Sequence, residues 1–170
     1  MGLFTALWPP AGAVQALAAD TAAVGEPRGW RVRAPDAWHV TLAFHGAADP
    51  GVLARRLDRA ARGAPAPRLR IAGGGAAPGV RWAGVTAEPA DLLIGLVVLA
   101  GGAPERFVPR VTVLRVRPRP GPAADPDPPV TWTAHRGPWW RPTELLLVGS
   151  EPTRGGSRYR VVHRVPLGGP

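Results

Sequence analysis

Cysteine is absent from this 170-residue chain, which removes disulfides, thiolate nucleophiles and thiolate metal sites together. Lysine is absent as well, so all 21 basic residues are arginine, set against only 12 acidic ones. There is no long apolar run. The longest uncharged apolar stretch, residues 92–104, has 13 residues and three glycines, short of the roughly 20 that cross a bilayer. The first charge is Asp20, but no basic segment precedes the opening apolar run and Pro9-Pro10 interrupts it, so no signal peptide is expected. Ala6 breaks the myristoylation pattern that Gly2 would open. A cytoplasmic chain with no membrane partner is the expectation. No His-x-x-x-His or cysteine pair is present, and neither a metal nor another cofactor is expected.

What is present argues for a folded unit. Glycine and proline supply 44 residues, yet 45% of the chain is hydrophobic and there are seven tryptophans, enough apolar surface to offset the entropy of ordering the backbone. The length suits one compact domain over residues 1–170, and a monomer is expected. The net charge of +9 has two readings. Guanidinium groups match phosphate oxygens, which fits a polyanionic partner. Alanine, glycine, proline and arginine also share GC-rich codons, so the charge permits such a partner without requiring it.

Periodicity predicts a mixed α+β order. An apolar strand over residues 2–8 ends at Pro9-Pro10, which opens a helix over 11–24. Alternation predicts strands over 30–33 and 38–44, and helical spacing of Val52, Leu53, Leu57 and Ala60 predicts an amphipathic helix over 50–62. Two β-like segments, 68–72 and 80–87, flank Gly73-Gly74-Gly75, read as a hairpin-type turn. A buried helix over 89–101 and a strand over 106–117 follow. The proline-rich stretch 118–129 reads as an extended loop, and strands over 144–149 and 159–165 flank a turn at 154–156.

The four histidines carry the candidate chemistry. In the run His39-Val40-Thr41-Leu42-Ala43-Phe44, strict alternation puts Val40, Leu42 and Phe44 on a core face, and His39 and Thr41, about 7 Å apart, on the accessible one. His45 shares the parity of His39 and is placed at the end of the same face. Seventy-one residues on, Arg110-Val111-Thr112-Val113-Leu114 repeats the layout. Parity turns Arg115 away from Arg110 and Thr112. His163 alternates outward on the last strand and reads as structural or solvated.

With these residues the sequence resembles the two-histidine phosphoesterase superfamily and, within it, the RNA 2′,3′-cyclic phosphodiesterases, also called the 2′-5′ RNA ligase family, marked by two His-x-Thr-x motifs. The resemblance runs through GLFTALWPP at 2–10, PDAWHVTLAFHG at 35–46, VRWAGV at 80–85 and RGPWWRPTELLLVGSE at 136–151. It implies two pseudo-symmetric lobes whose antiparallel sheets line a central groove, with helices outside. It implies His39, Thr41 and Thr112 as catalytic residues, Arg110 and Arg115 as phosphate binders, and His45, Phe44 and His135 as possible substrate contacts. Trp139 and Trp140 are candidates for base stacking or core.

One departure stands out. The family's second motif begins with histidine, and this chain has Arg110 there. Arginine stays protonated and cannot cycle as acid and base, although it can grip phosphate bidentately. The implied activity is hydrolysis of a 2′,3′-cyclic phosphate at an RNA 3′ end or nucleotide to a 2′-phosphate, impaired by Arg110. The alternatives are an inactive module that binds the RNA-end or nucleotide phosphate, and a plain structural domain.

Overall fold

The computed structural model describes residues 2–117, 125–153 and 156–169; the remaining parts of the expected 118–129 loop and 154–156 turn lie outside them. In chain order the elements are β1 Gly2–Leu7, α1 Ala11–Thr21, β2 Trp30–Val32, β3 Val40–Gly46, α2 Pro50–Ala61, β4 Arg68–Ala77, β5 Val80–Glu88, α3 Ala90–Ala100, β6 Arg110–Val116, β7 Glu144–Thr153 and β8 Gly156–Pro166. They form two four-stranded antiparallel sheets, ordered β3-β1-β7-β8 and β2-β6-β5-β4, with the three helices outside. The expected α+β architecture with two similar halves is what the chain adopts.

The halves repeat an order. β1, a proline, α1, a one-turn 3-10 helix at Pro35–Ala37 and β3 are matched by β5, Pro89, α3, a 3-10 helix at Pro104–Arg106 and β6. Proline suits these helix entries because it lacks only an N–H that would have no partner there. The second 3-10 turn delays the strand expected from residue 106, which starts at Arg110.

α2 shows how the local sequence sets its element. Asp49 caps it by accepting from the Val52 N–H at 2.8 Å, Pro50 occupies its first turn, and Leu53, Leu57 and Ala61 are buried one helical turn apart. α3 is apolar nearly all round and stops at Gly101, whose φ of 87° favours glycine. Helices and both sheets share one continuous core containing Leu7, Leu17, Trp38, Leu57, Leu69, Leu96, Val111 and Leu145. Among the described residues no helix is long and apolar enough to cross a membrane.

The glycine run is not the turn. β4 continues through Gly73, Gly74 and Gly75 to Ala77, and Gly79 (φ 73°) makes the turn into β5. Gly73 takes a φ of 66° at the register shift between Ile71 and Gly74, and the next two glycines answer to packing. A Cβ on Gly75 would lie 2.6 Å from the Trp82 indole, and one on Gly74 would lie 2.5 Å from Val130 and 2.9 Å from Trp132. Large side chains press close against these two positions, and glycine leaves room for them.

Candidate active site

A groove of about 850 Å³ is lined from both sheets. His39, Thr41 and Phe44 come from β3 and its approach, Phe4 from β1, Tyr159 from β8, Arg110, Thr112 and Arg115 from β6, and Arg33 from the end of β2.

The two motif strands share a bulge. Thr5 pairs with Ala43 and Ala6 with Thr41, so Leu42 has no opposite number on β1. On β6, Arg81 pairs with Leu114 and Trp82 with Thr112, leaving Val113 over. An extra residue reverses the alternation beyond it. Hence Leu42 and Ala43 are both buried, as are Val113 and Leu114, and the next residue in each strand returns to the groove.

Two expectations are corrected by that reversal. Phe44, placed on the core face by strict alternation, is 82% exposed and lines the groove. Arg115, expected to turn away, joins Arg110 and Thr112 there. A second register shift, between Phe4↔Phe44 and Leu3↔Gly46, follows. The first reversal also takes His45 out of the groove: its Nε2 lies 2.8 Å from the Thr5 hydroxyl, and it is absent from the lining. Burial, then the Arg56 charge, holds its pKa below the usual value.

His39 joins a cluster of aromatic rings. Its ring packs against Phe4 and Trp8, with centroids 4.9 and 4.7 Å away and close to parallel, and lies perpendicular to Tyr159 at 5.3 Å. Its Nδ1 lies 2.8 Å from the Ala37 carbonyl. A carbonyl only accepts, so Nδ1 carries the proton and donates, leaving Nε2 as a free lone pair in the neutral ring. Burial pushes the His39 pKa down to about 4, with the Arg33 charge acting the same way and the Ala37 bond opposing. Near pH 7 the ring is a neutral base. Arg33 donates in turn to the Tyr159 hydroxyl.

On β6 the arginine is also steered by an aromatic ring: the Arg110 guanidinium lies 4.9 Å from the Trp82 ring centroid. Both threonines are partly accessible, and their hydroxyls can donate to an anion. The groove thus combines one unprotonated imidazole nitrogen, two threonine hydroxyls and four guanidiniums, those of Arg33, Arg106, Arg110 and Arg115.

The other candidates lie elsewhere. His135 is 3% exposed and bonds through Nδ1 to Asp20 at 2.6 Å, so it does not reach the groove. His163 bonds Asp58 at 3.0 Å, consistent with a structural role. Trp139 takes Arg68 and Arg70 over its ring, and Trp140 packs against the core. The proline-rich segment is pinned where described, by Asp125 to Arg28 and by Asp127 to Arg81. Sequence reasoning missed Phe4, Trp8, Arg33 and Tyr159 as the surround of His39. Phe4 and Trp8 share β1's other alternation phase from Leu3 and Leu7, a readable signal; nothing in the sequence ties Tyr159, far along the chain, to them.

The family model described as LigT-like phosphoesterase matches residues 7–85. No curated protein sequence matches the chain. Among solved structures, the Thermus thermophilus protein TT0787 is 30% identical with a TM-score of 0.74, covering 99% of each chain. E. coli LigT complexed with 3′-AMP is 28% identical with a TM-score of 0.71, covering 98% of this chain and 96% of that one. E. coli LigT complexed with phosphate is 27% identical, with a TM-score of 0.71 and 98% and 97% coverage.

Proposed function

The chain belongs to the LigT-like phosphoesterase family, and we propose that it opens 2′,3′-cyclic phosphates at RNA or nucleotide ends to 2′-phosphomonoesters. The observation that carries this is the hydrogen bond that fixes the tautomer of His39, leaving an unprotonated Nε2 on a ring that lines a groove whose other strand offers guanidiniums and a hydroxyl. The 3′-AMP and phosphate complexes of LigT support a nucleotide phosphate as the occupant.

In this reading His39 Nε2 takes a proton from the attacking water while its oxygen bonds to phosphorus. The bond from phosphorus to the ribose 3′ oxygen breaks, and that oxygen must gain a proton. Arg110 stands where the resemblance puts the family's second histidine and cannot cycle a proton, since a guanidinium keeps its charge throughout catalysis. Solvent water supplies the proton, and Arg110 instead neutralises the phosphoryl oxygens, assisted by Arg115, Thr41 and Thr112. One positioned proton-transfer group contributes about 10² to 10⁴ in rate, so the enzyme is expected to be slow relative to two-histidine relatives.

Arg110 favours a second reading, a module that grips an RNA-end or nucleotide phosphate without turning it over. Hydrolysis of 2′,3′-cyclic AMP and of a short RNA ending in a cyclic phosphate, without added metal, by the parent and by His39→Ala, separates them. Turnover in the parent that vanishes in the variant supports the hydrolase; retained binding of 3′-AMP with no turnover in either supports the module.

A further inference from the structure

Beside the groove, beyond the wall made by Arg33 and Tyr159, lies a crevice of about 370 Å³ that has not been given a role. It is lined by Arg31 and Arg33 around β2, by Asp36, and by Ser157 and Arg158 of β8. Arg33, Ala37, Ser157 and Tyr159 line both spaces, so the crevice runs directly out of the groove at the His39 end.

Its charge is unbalanced. Three guanidiniums face one carboxylate, and among the described residues neither Arg31 nor Arg158 forms an ion pair. Glu151 stands opposite Arg158 in the β7–β8 ladder without engaging it. By contrast, Arg28, Arg68, Arg81, Arg117 and Arg164 all have carboxylate partners. The Arg31 guanidinium lies against the start of β8, 2.9 Å from where a Cβ on Gly156 would stand. A hydroxyl and unpaired guanidinium forks around a concave space make a phosphate-oxygen site.

We propose that this crevice binds the phosphodiester 5′ to the reacting end, which makes an oligonucleotide rather than a mononucleotide the preferred substrate. The proposal rests on the functional reading above for the occupant of the groove. A mononucleotide fills the groove alone; a chain continuing from it meets Arg33 at the wall and Arg31, Ser157 and Arg158 beyond.

The test compares 3′-AMP with a trinucleotide ending in a 3′-phosphate, by equilibrium binding to the parent and to R31A/R158A. Neither substituted residue lines the groove. The trinucleotide is expected to bind the parent at least tenfold more tightly than 3′-AMP, and the double variant to lose roughly tenfold for the trinucleotide only. Its log–log salt slope should shrink by about 0.7, the value for one phosphate of a single strand. Equal losses for both ligands, or no loss for the trinucleotide, would overturn the crevice assignment. The same pair read as 2′,3′-cyclic substrates adds kcat/KM: no turnover of either by the parent sinks the hydrolase reading while the binding comparison still decides the crevice. Binding of neither probe to the parent removes both.

Discussion

β3 and β6 are two copies of one backbone device carrying different chemistry. Each has a groove-facing polar residue, a buried valine, a threonine, a bulge that buries two consecutive apolar residues, and a side chain returned to the groove. On β3 and its approach the two groove positions hold His39 and Phe44; in β6 they hold Arg110 and Arg115. Aromatic rings enclose the imidazole and lower its pKa, whereas a single ring, Trp82, backs the guanidinium. The same scaffold thus offers a proton acceptor on one side and fixed positive charge on the other. What a bulged strand contributes to the site is decided by two positions, not by its fold.

The sharpest break of that asymmetry is His39→Ala, for which kcat/KM in cyclic phosphate hydrolysis should fall by about 10² to 10⁴. A variant retaining the parent rate would place the proton acceptor elsewhere. Arg110→His makes the strands alike and should raise kcat at least tenfold, turning a pH profile that only rises into a bell as the second imidazole loses its proton at higher pH. A variant no faster than the parent would mean that the two strands are not equivalent in the site.

Loosening the enclosure is a milder perturbation. In Trp8→Ala, water reaches the His39 ring, so the acid limb of kcat/KM should move from near 4 toward the ordinary 6.5, with a rate loss under about tenfold. Stability follows the same group. Because His39 is harder to protonate folded than unfolded, the parent should lose stability as pH falls from about 6.5 to 4, and His39→Gln should flatten that part of a denaturation series. The smallest effect separates the bulge's neighbours: Leu42→Ala should cost about 2–5 kcal/mol of unfolding free energy, and Phe44→Ala less than about 0.5 kcal/mol. Comparable losses from both, by urea denaturation, would contradict the reversal at the bulge.

That reversal also marks where the sequence stopped being readable. Up to Thr41, and up to Thr112, alternation assigns the faces as the structure has them, since a regular strand alternates by geometry. Beyond those points Phe44, His45 and Arg115 were misplaced, because neither bulge is signalled by glycine or proline and an inserted residue is visible only in the pairing. Gly73 to Gly75 failed for the converse reason. Gly74 and Gly75 answer to Trp132 and Trp82, a packing demand that local turn rules read as a corner, while Gly73 supplies a left-handed φ within the strand. The helices were legible because proline, Asp49 and the buried stripe of α2 act within a few residues of each other. The surround of His39 was not, because Tyr159 and Arg33 arrive from opposite ends of the chain.

In the proposed hydrolysis, the hydrogen bond from His39 Nδ1 to the Ala37 carbonyl sets the rhythm of turnover. With that edge committed, the ring can store one proton per cycle at Nε2 alone, and no second imidazole beside the substrate receives it. Resetting the site is therefore an exchange with dissolved buffer through the groove. Catalysis of this kind should quicken with buffer concentration at constant pH and ionic strength, and slow in heavy water.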